Sequence, residues 1–348
     1  MSPHVLTVAY PFAPVGPDAV GGAEQIAAAL DAALVEAGCR STVVACAGSV
    51  VSGVLRSVPA HAGRIEETAR LSIHAHVRAA IDASLMEDDV DLVHLHGIDA
   101  AETLPPPGVP ALLTLHLPVD WYPPALIREP PADLTLVPVS ASQAQGLPPE
   151  ARAVPPIENG VPVEDLARAR HARRGFALVL GRVCPEKGVH LALDAAIRAE
   201  IPCLVAGETF NYAAHRRYFD DEVLPRLDRQ RRWLGPVDFQ RKRRLLSAAR
   251  CVLIPSLVPE TSSLVAREAA ACGTPVIAFR AGALPDTVED GRTGFIVDDV
   301  AGMAAAISRC DAIDPEVCRG VARRRFSLRA MTDAYLALYR RTVAAGAA

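Results

Sequence analysis

No uninterrupted apolar run in the sequence is long enough to cross a bilayer, so no transmembrane helix is expected. Met1 to Val8 leads straight into a short apolar strand pattern. It lacks the basic region and long apolar stretch of a signal peptide, and a cytoplasmic protein is expected. Net charge is small: 36 Lys and Arg stand against 40 Asp and Glu, a formal balance of −4 over 348 residues. Nothing global therefore points to nucleic acid or to an acidic polymer. There is no Cys-x-x-Cys pair among the eight cysteines, Cys39, Cys46, Cys184, Cys203, Cys251, Cys272, Cys310 and Cys318. Scattered through apolar segments, they read as buried thiols in a reducing compartment, with structural zinc or disulfides as the alternatives. No Gly-x-Gly-x-x-Gly follows the early strands, which disfavours a dinucleotide oxidoreductase. No short-period repeat is present.

What is present is strand–helix alternation, in two runs. The first has strands at His4–Tyr10, Ser41–Ala47, Asp91–Leu95, Ala111–Leu115 and Thr135–Val139, with helices at Gly22–Ala37 and Ile65–Met86. Gly38 suits the end of the first helix. A Pro-, Ala- and Arg-rich stretch from Gln145 to Arg174 reads as the connection between domains. Alternation then restarts. Strands are expected at Phe176–Leu180, Pro202–Ala206, Arg231–Leu234, Cys251–Ile254, Pro275–Ala278 and Gly294–Val297. Helices are expected at Lys187–Ala199, Ala213–Leu227, Phe239–Ala248 and Leu264–Cys272, with helical pattern from Val300 to Val343 and Ser327 as an N-cap. The pattern predicts an α/β protein of two doubly wound domains, 1–165 and 166–328, facing a central cleft. A terminal helix, 329–348, is expected to pack back toward the first domain.

Two segments of the second half carry chemistry. In Gly181-Arg182-Val-Cys-Pro-Glu-Lys187-Gly188 a buried strand enters a glycine turn and sets two cations at the mouth of a helix. Cations and helix N-terminal amides together suit a pyrophosphate. In Pro259-Glu260-Thr-Ser262-Ser263-Leu264-Val265-Ala-Arg-Glu268 a loop carries one carboxylate and the following helix another. The amides near Leu264 and Val265 point toward the same crevice, and each carboxylate can accept two sugar hydroxyls.

Together these segments resemble the glycosyltransferases of family 4, which have the GT-B architecture. The resemblance rests on Gly181, Arg182, Lys187, Gly188, Glu260, Glu268 and the Ala271-to-Val276 stretch, and extends through Val205 to Glu208, Leu234-Gly-Pro236 and Asp290 to Phe295. It implies that Arg182 and Lys187 hold a donor diphosphate, Glu260 the transferred sugar and Glu268 the ribose. It also implies transfer with retention of configuration and no required metal. Where the family commonly has Glu-Pro-Phe-Gly-Leu, this chain has Glu260-Thr261-Ser262-Ser263-Leu264. The serines are expected to alter donor contacts.

In the first half, Gly21-Gly22 lies between the first strand and the first helix and resembles the family's glycine loop at the donor. The resemblance places His116 near the sugar's anomeric carbon. His96 and Ser140 lie at strand ends and are candidates for the acceptor side. His94, His96 and His116 also admit a zinc hydrolase as an alternative. A non-catalytic sugar-nucleotide-binding module is the other. The Asn159-Gly160-Val161 segment matches the family's domain junction, where a hinge is expected. The donor reading favours a UDP-hexose, with GDP-mannose open. The acceptor is a small molecule, glycan or lipid-linked group. The basic clusters Arg216-Arg217, Arg226 to Arg232 and Arg241 to Arg244 read as a solvated face, with weak contact to anionic lipid headgroups as the alternative.

Overall fold

The computed structural model describes residues 2–210 and 212–346. Residue 1 of the expected first domain and residues 347–348 of the expected terminal segment lie outside them. Each run of strand–helix alternation becomes one six-stranded, all-parallel sheet. The first contains β1 (His4–Val8), β2 (Arg40–Cys46), β3 (Val54–Val58), β4 (Leu92–Leu95), β5 (Ala111–Thr114) and β6 (Leu134–Val137). The second contains β7 (Ala177–Leu180), β8 (Cys203–Ala206), β9 (Arg231–Trp233), β10 (Cys251–Ile254), β11 (Val276–Phe279) and β12 (Gly294–Val297). Their orders are β3-β2-β1-β4-β5-β6 and β12-β11-β10-β7-β8-β9. Both follow one doubly wound scheme, in which the chain reverses its direction of travel across the sheet. The reversal falls between β1 and β4 in the first sheet and between β7 and β10 in the second.

The inner strands are largely apolar because both faces of each sheet are covered there, whereas the edge strands β3 and β9 are partly exposed and carry arginine. In β7, Ala177 and Val179 enter one core with the helices Val189–Arg198 and Val300–Arg309. Leu178 enters the other, with Leu180 packed against it and with the helices Leu264–Cys272 and Pro315–Arg325. Alternate residues thus feed opposite faces. Ala269, Ala270 and Ala271 are buried in the Leu264–Cys272 helix. Their small side chains let that helix lie close to its neighbours.

The chain divides into two compact units, one spanning Gly160–Leu328 and the other running up to Asn159 and resuming at Arg329. Within the second unit its two ends lie side by side. Val161 N–H donates to Phe326 O at 2.9 Å, and Leu328 N–H donates to Val161 O at 3.0 Å. A Cβ at Gly160 would sit 2.5 Å from the Leu328 Cα, so only glycine fits there.

Three expectations change. β3 adds an edge strand. The helix expected over Ala213–Leu227 ends at Tyr218 and continues as a π-helical turn, Phe219–Val223, and a 3-10 turn, Leu224–Arg226, that contains Pro225. The helical tail is three helices, Val300–Arg309, Pro315–Arg325 and Leu328–Gly346, and Asp314 caps the second by accepting from Glu316 N. Among the described residues no helix is long and apolar enough to cross a membrane.

Candidate active site

Parallel doubly wound sheets leave a crevice beyond the carboxyl ends of their strands, at the point of reversal. In the second unit that point lies between β7 and β10. The loop after β7 carries Arg182 and Lys187, and the loop after β10 carries Glu260. A backbone hydrogen bond of 2.8 Å from Leu257 N to Glu186 O ties the two loops together. Gly207 directly follows β8, and a Cβ there would lie 1.7 Å from Gly181 O. Gly181 and Gly207 have φ of +135° and +152°. This close glycine pair lets the Arg182 loop sit low over the strand ends.

Lys187 Nζ reaches Glu260 Oε1 at 2.5 Å, with the carboxylate side chain only 10% exposed. Ser256 Oγ donates to the same oxygen. Burial works to raise the Glu260 carboxyl. The Lys187 cation, the hydrogen bonds from Lys187 and Ser256, and Arg182 outweigh it and hold the group below the usual glutamate range. Arg182 stacks over Phe210, 5.5 Å from the ring centre. Glu268 is buried, and Lys242 Nζ contacts its Oε1.

The helix Leu264–Cys272 begins between the two carboxylates. Ser263 is its N-cap, with Oγ accepting from Ala266 N at 3.4 Å and its carbonyl accepting from Arg267 N at 3.3 Å. The amides of Leu264 and Val265 precede the first turn's acceptors and have none within the helix. Ser262 Oγ is buried without a hydrogen-bond partner. An orphan hydroxyl beside two such amides is a cradle for an anion. The two serines therefore separate: Ser263 builds the helix, and Ser262 has an unused donor.

In the first unit, Gly21 is the N-cap of the helix Gly22–Glu36 at φ −83°, a conformation open to any residue. Gly22 likewise has no positive φ. A Cβ at Gly21 would meet the Glu24 carboxylate at 1.8 Å, so a side chain there would oblige Glu24 to turn aside.

His96 follows β4 and His116 follows β5. His96 Nδ1 and His116 Nε2 are 2.8 Å apart, and His96 Nε2 and His94 Nδ1 are 3.2 Å apart. His94 also meets Tyr339 OH and Thr114 Oγ1, each at 2.8 Å. These ring nitrogens are engaged with one another and with hydroxyls, so the histidines have partners without a zinc ion. Burial pushes His94 and His116 down to about 3, and His96 well below its ordinary value. All three are neutral at pH 7. Each neutral ring has one N–H, so the chain runs in one of two directions. If His116 Nε2–H donates to His96, His96 Nε2–H donates to His94 and His94 Nε2–H to Thr114. The direction decides whether His116 Nδ1 presents a lone pair or a proton.

Ser140 is buried and caps the short helix Ala141–Gln145, accepting from Gln143 N at 3.2 Å. Gln143 is one residue that sequence reasoning missed. Its Nε2 donates to Leu115 O at 2.9 Å and Leu117 O at 3.0 Å, and its Oε1 accepts from Val139 N at 2.8 Å. Both backbone neighbours of His116 are thereby pinned. Leu117 N also donates to Tyr122 OH, at 3.3 Å.

Lys242 was missed too. Arg241 to Arg244 reads as a solvated face, yet Lys242 is turned inward to Glu268, and Arg243 donates to Asp165 O at 2.9 Å. Only a fold that brings residue 242 beside residue 268 exposes that pairing.

Residues 175–311 match the family model described as Glycosyl transferases group 1. Over 216 residues the chain is 35% identical to a D-inositol 3-phosphate glycosyltransferase of Saccharomonospora viridis, covering 57% of this chain and 48% of that protein. The chain spans about half the length of the curated relatives it matches. A sucrose-phosphate synthase from Thermosynechococcus elongatus superposes with a TM-score of 0.78, at 22% identity, over 98% of this chain and 100% of that one. Anabaena HepE, solved in complex with UDP-glucose, superposes with a TM-score of 0.73, at 17% identity, over 98% and 99%. The architecture is GT-B, each unit being one doubly wound sheet.

Proposed function

We propose that the protein is a retaining family 4 glycosyltransferase that moves a hexose from a nucleoside diphosphate sugar to a hydroxyl acceptor. UDP-glucose is the favoured donor and GDP-mannose the second choice. The observation that carries this reading is the crevice at the β7–β10 reversal. There Arg182, Lys187, the orphan Ser262 hydroxyl and the first amides of a helix converge beside two buried carboxylates. HepE, of the same fold, is solved with UDP-glucose.

Arg182 and Lys187 would take up the charge that grows on the departing diphosphate. With two cations and a helix N-terminus on the phosphates, the chemistry calls for no metal there. Glu260, ionised at neutral pH, would accept hydroxyls of the transferred sugar. Glu268 would accept those of the ribose, with Lys242 holding its orientation. The resemblance gives His116 a place near the anomeric carbon. A neutral imidazole suits a carbon that gains positive charge, because a protonated ring would repel it. The leaving phosphate is then the base that takes the acceptor's proton. Eight free, buried cysteines fit a reducing cytoplasm.

A thermal-shift panel of UDP-, GDP- and ADP-sugars at millimolar concentration tests the donor. UDP-glucose should raise Tm in the wild type and much less in Lys187→Ala. With an accepted acceptor, Lys187→Ala should lower kcat about 10²- to 10³-fold, the cost of removing one such charge. Binding with neither transfer nor hydrolysis would leave a sugar-nucleotide-binding module, and no shift with any nucleotide sugar would overturn the donor site.

A further inference from the structure

The Arg182–Lys187 loop takes part in a cluster that the donor chemistry does not use. Cys184, Glu186 and His215 each turn one ligand atom inward, and the three atoms lie within 4.8 Å of one another. Cys184 is buried, and Glu186 and His215 are half-buried. Pro185 separates the first two on a 3-10 turn, Pro185–Lys187, and His215 comes from the helix Ala213–Tyr218. The His215 Nδ1 atom is buried and has no hydrogen-bond partner. The imidazole of His215 is fixed in part by Tyr212, whose ring stands edge-on at 5.1 Å.

We propose that Cys184, Glu186 and His215 form a zinc site that clamps the donor loop to the helix Ala213–Tyr218. The donor set is what selects the metal. A thiolate, an imidazole and a carboxylate suit Zn²⁺, whereas Mg²⁺ and Ca²⁺ take oxygen ligands. Tetrahedral zinc, with bonds of about 2.0–2.3 Å, places ligand atoms about 3.5 Å apart. The three side chains need to close by about 1 Å, within reach of ordinary side-chain rotation. A thiolate and a carboxylate offset both charges of the ion, so Arg182 nearby faces a neutral site. Water fills the fourth position. Ion binding displaces the thiol proton to solvent, and no other bond changes.

The clamp has a purpose in the fold. The Cys184 loop carries both cations of the candidate donor site, and Phe210, over which Arg182 stacks, lies five positions before His215. A metal joining the two segments fixes both partners of that stack. The site itself does not rest on the glycosyltransferase reading, because its readout involves no nucleotide sugar.

The test is a titration of chelator-stripped full-length protein with Co²⁺, followed by displacement with Zn²⁺. One equivalent of Co²⁺ should give a thiolate-to-cobalt charge-transfer band together with the visible bands of four-coordinate cobalt. Zn²⁺ should abolish both. Cys184→Ser should lose the charge-transfer band, and His215→Ala and Glu186→Gln should weaken binding at least tenfold, with far-UV dichroism unchanged. His215 and Glu186 are half-buried, so their variants keep the test decisive if Cys184→Ser fails to fold. A wild-type protein without a saturable band, or a band that survives in all three variants, overturns the site.

Discussion

Ser262 and Ser263 stand side by side where the family that the sequence resembles commonly has a phenylalanine and a glycine, and the structure gives them opposite work. Ser263 accepts from Ala266 N as the cap of the helix Leu264–Cys272, whereas the buried Ser262 hydroxyl has no partner. Removing a cap costs about 1 kcal/mol, while replacing it by glycine costs only a few tenths. Ser263→Ala should therefore lower stability by about 1 kcal/mol in urea unfolding and Ser263→Gly much less. Ser262→Ala deletes an unsatisfied buried hydroxyl, so unfolding should be unchanged or slightly harder, while donor KM rises. Equal stability losses in Ser262→Ala and Ser263→Ala would count against this division. The sequence shows that both serines depart from the family pattern. It does not show which one caps, because capping depends on where the helix begins. The same limit hides Lys242, whose neighbours in the chain are all basic and whose partner is Glu268.

The short helix Ala141–Gln145 shows how an element of five residues can control a site without touching it. Gln143 spends its whole amide on Val139 N, Leu115 O and Leu117 O, and so fixes the backbone on either side of His116. Gln143→Leu fills similar volume but leaves two buried backbone groups, Val139 N and Leu115 O, and the half-buried Leu117 O without this partner, each buried group worth about 1–3 kcal/mol. Several kcal/mol of lost stability are expected, with kcat reduced and the thermal shift from UDP retained. If the variant keeps full kcat, Gln143 does not position His116. This helix escaped sequence reading because five residues are too few to show a period. β3 escaped for another reason: its burial runs from exposed Val54 to buried Val58 without alternation, as expected of an edge strand. The inner strands and the longer helices were legible from their patterns. Continuous apolar runs such as Cys251–Ile254 and the 3.6-residue spacing of Phe239–Ala248 match the observed bounds. The break at Leu224–Arg226 follows from Pro225, which cannot continue a helix.

On the scale of the molecule, alternation in two runs predicts two doubly wound sheets, but strand order comes only with pairing. So does the return of the tail: Tyr335 and Tyr339, in the helix Leu328–Gly346, are tied to Thr114 and His94 of the first sheet. That union makes the first unit the more acid-sensitive one. Burial pushes His94 and His116 down to about 3 in the folded protein, below the ordinary value of 6.5, and His96 is also pushed well below it. Below pH 6.5 the unfolded chain binds protons at these positions and the folded one does not. Their contribution is therefore fully present above that pH and is lost as pH falls toward 3, at up to about 1.4 kcal/mol per pH unit for each ring. Glu260, in the other unit, is held below the usual glutamate range by Lys187, Ser256 and Arg182, so it stays ionised between pH 7 and pH 5. Calorimetry between pH 7 and pH 5 in the presence of UDP should thus resolve two transitions. The one that UDP raises, assigned to the unit carrying Glu260, should move less, because the histidines lowered there, His190 and His215, are only half-buried. The UDP-insensitive one should fall steeply, and His94→Asn should flatten its dependence on pH. If both transitions shift together, or if the ligand-sensitive one falls first, the buried histidine chain is not what limits the molecule in acid.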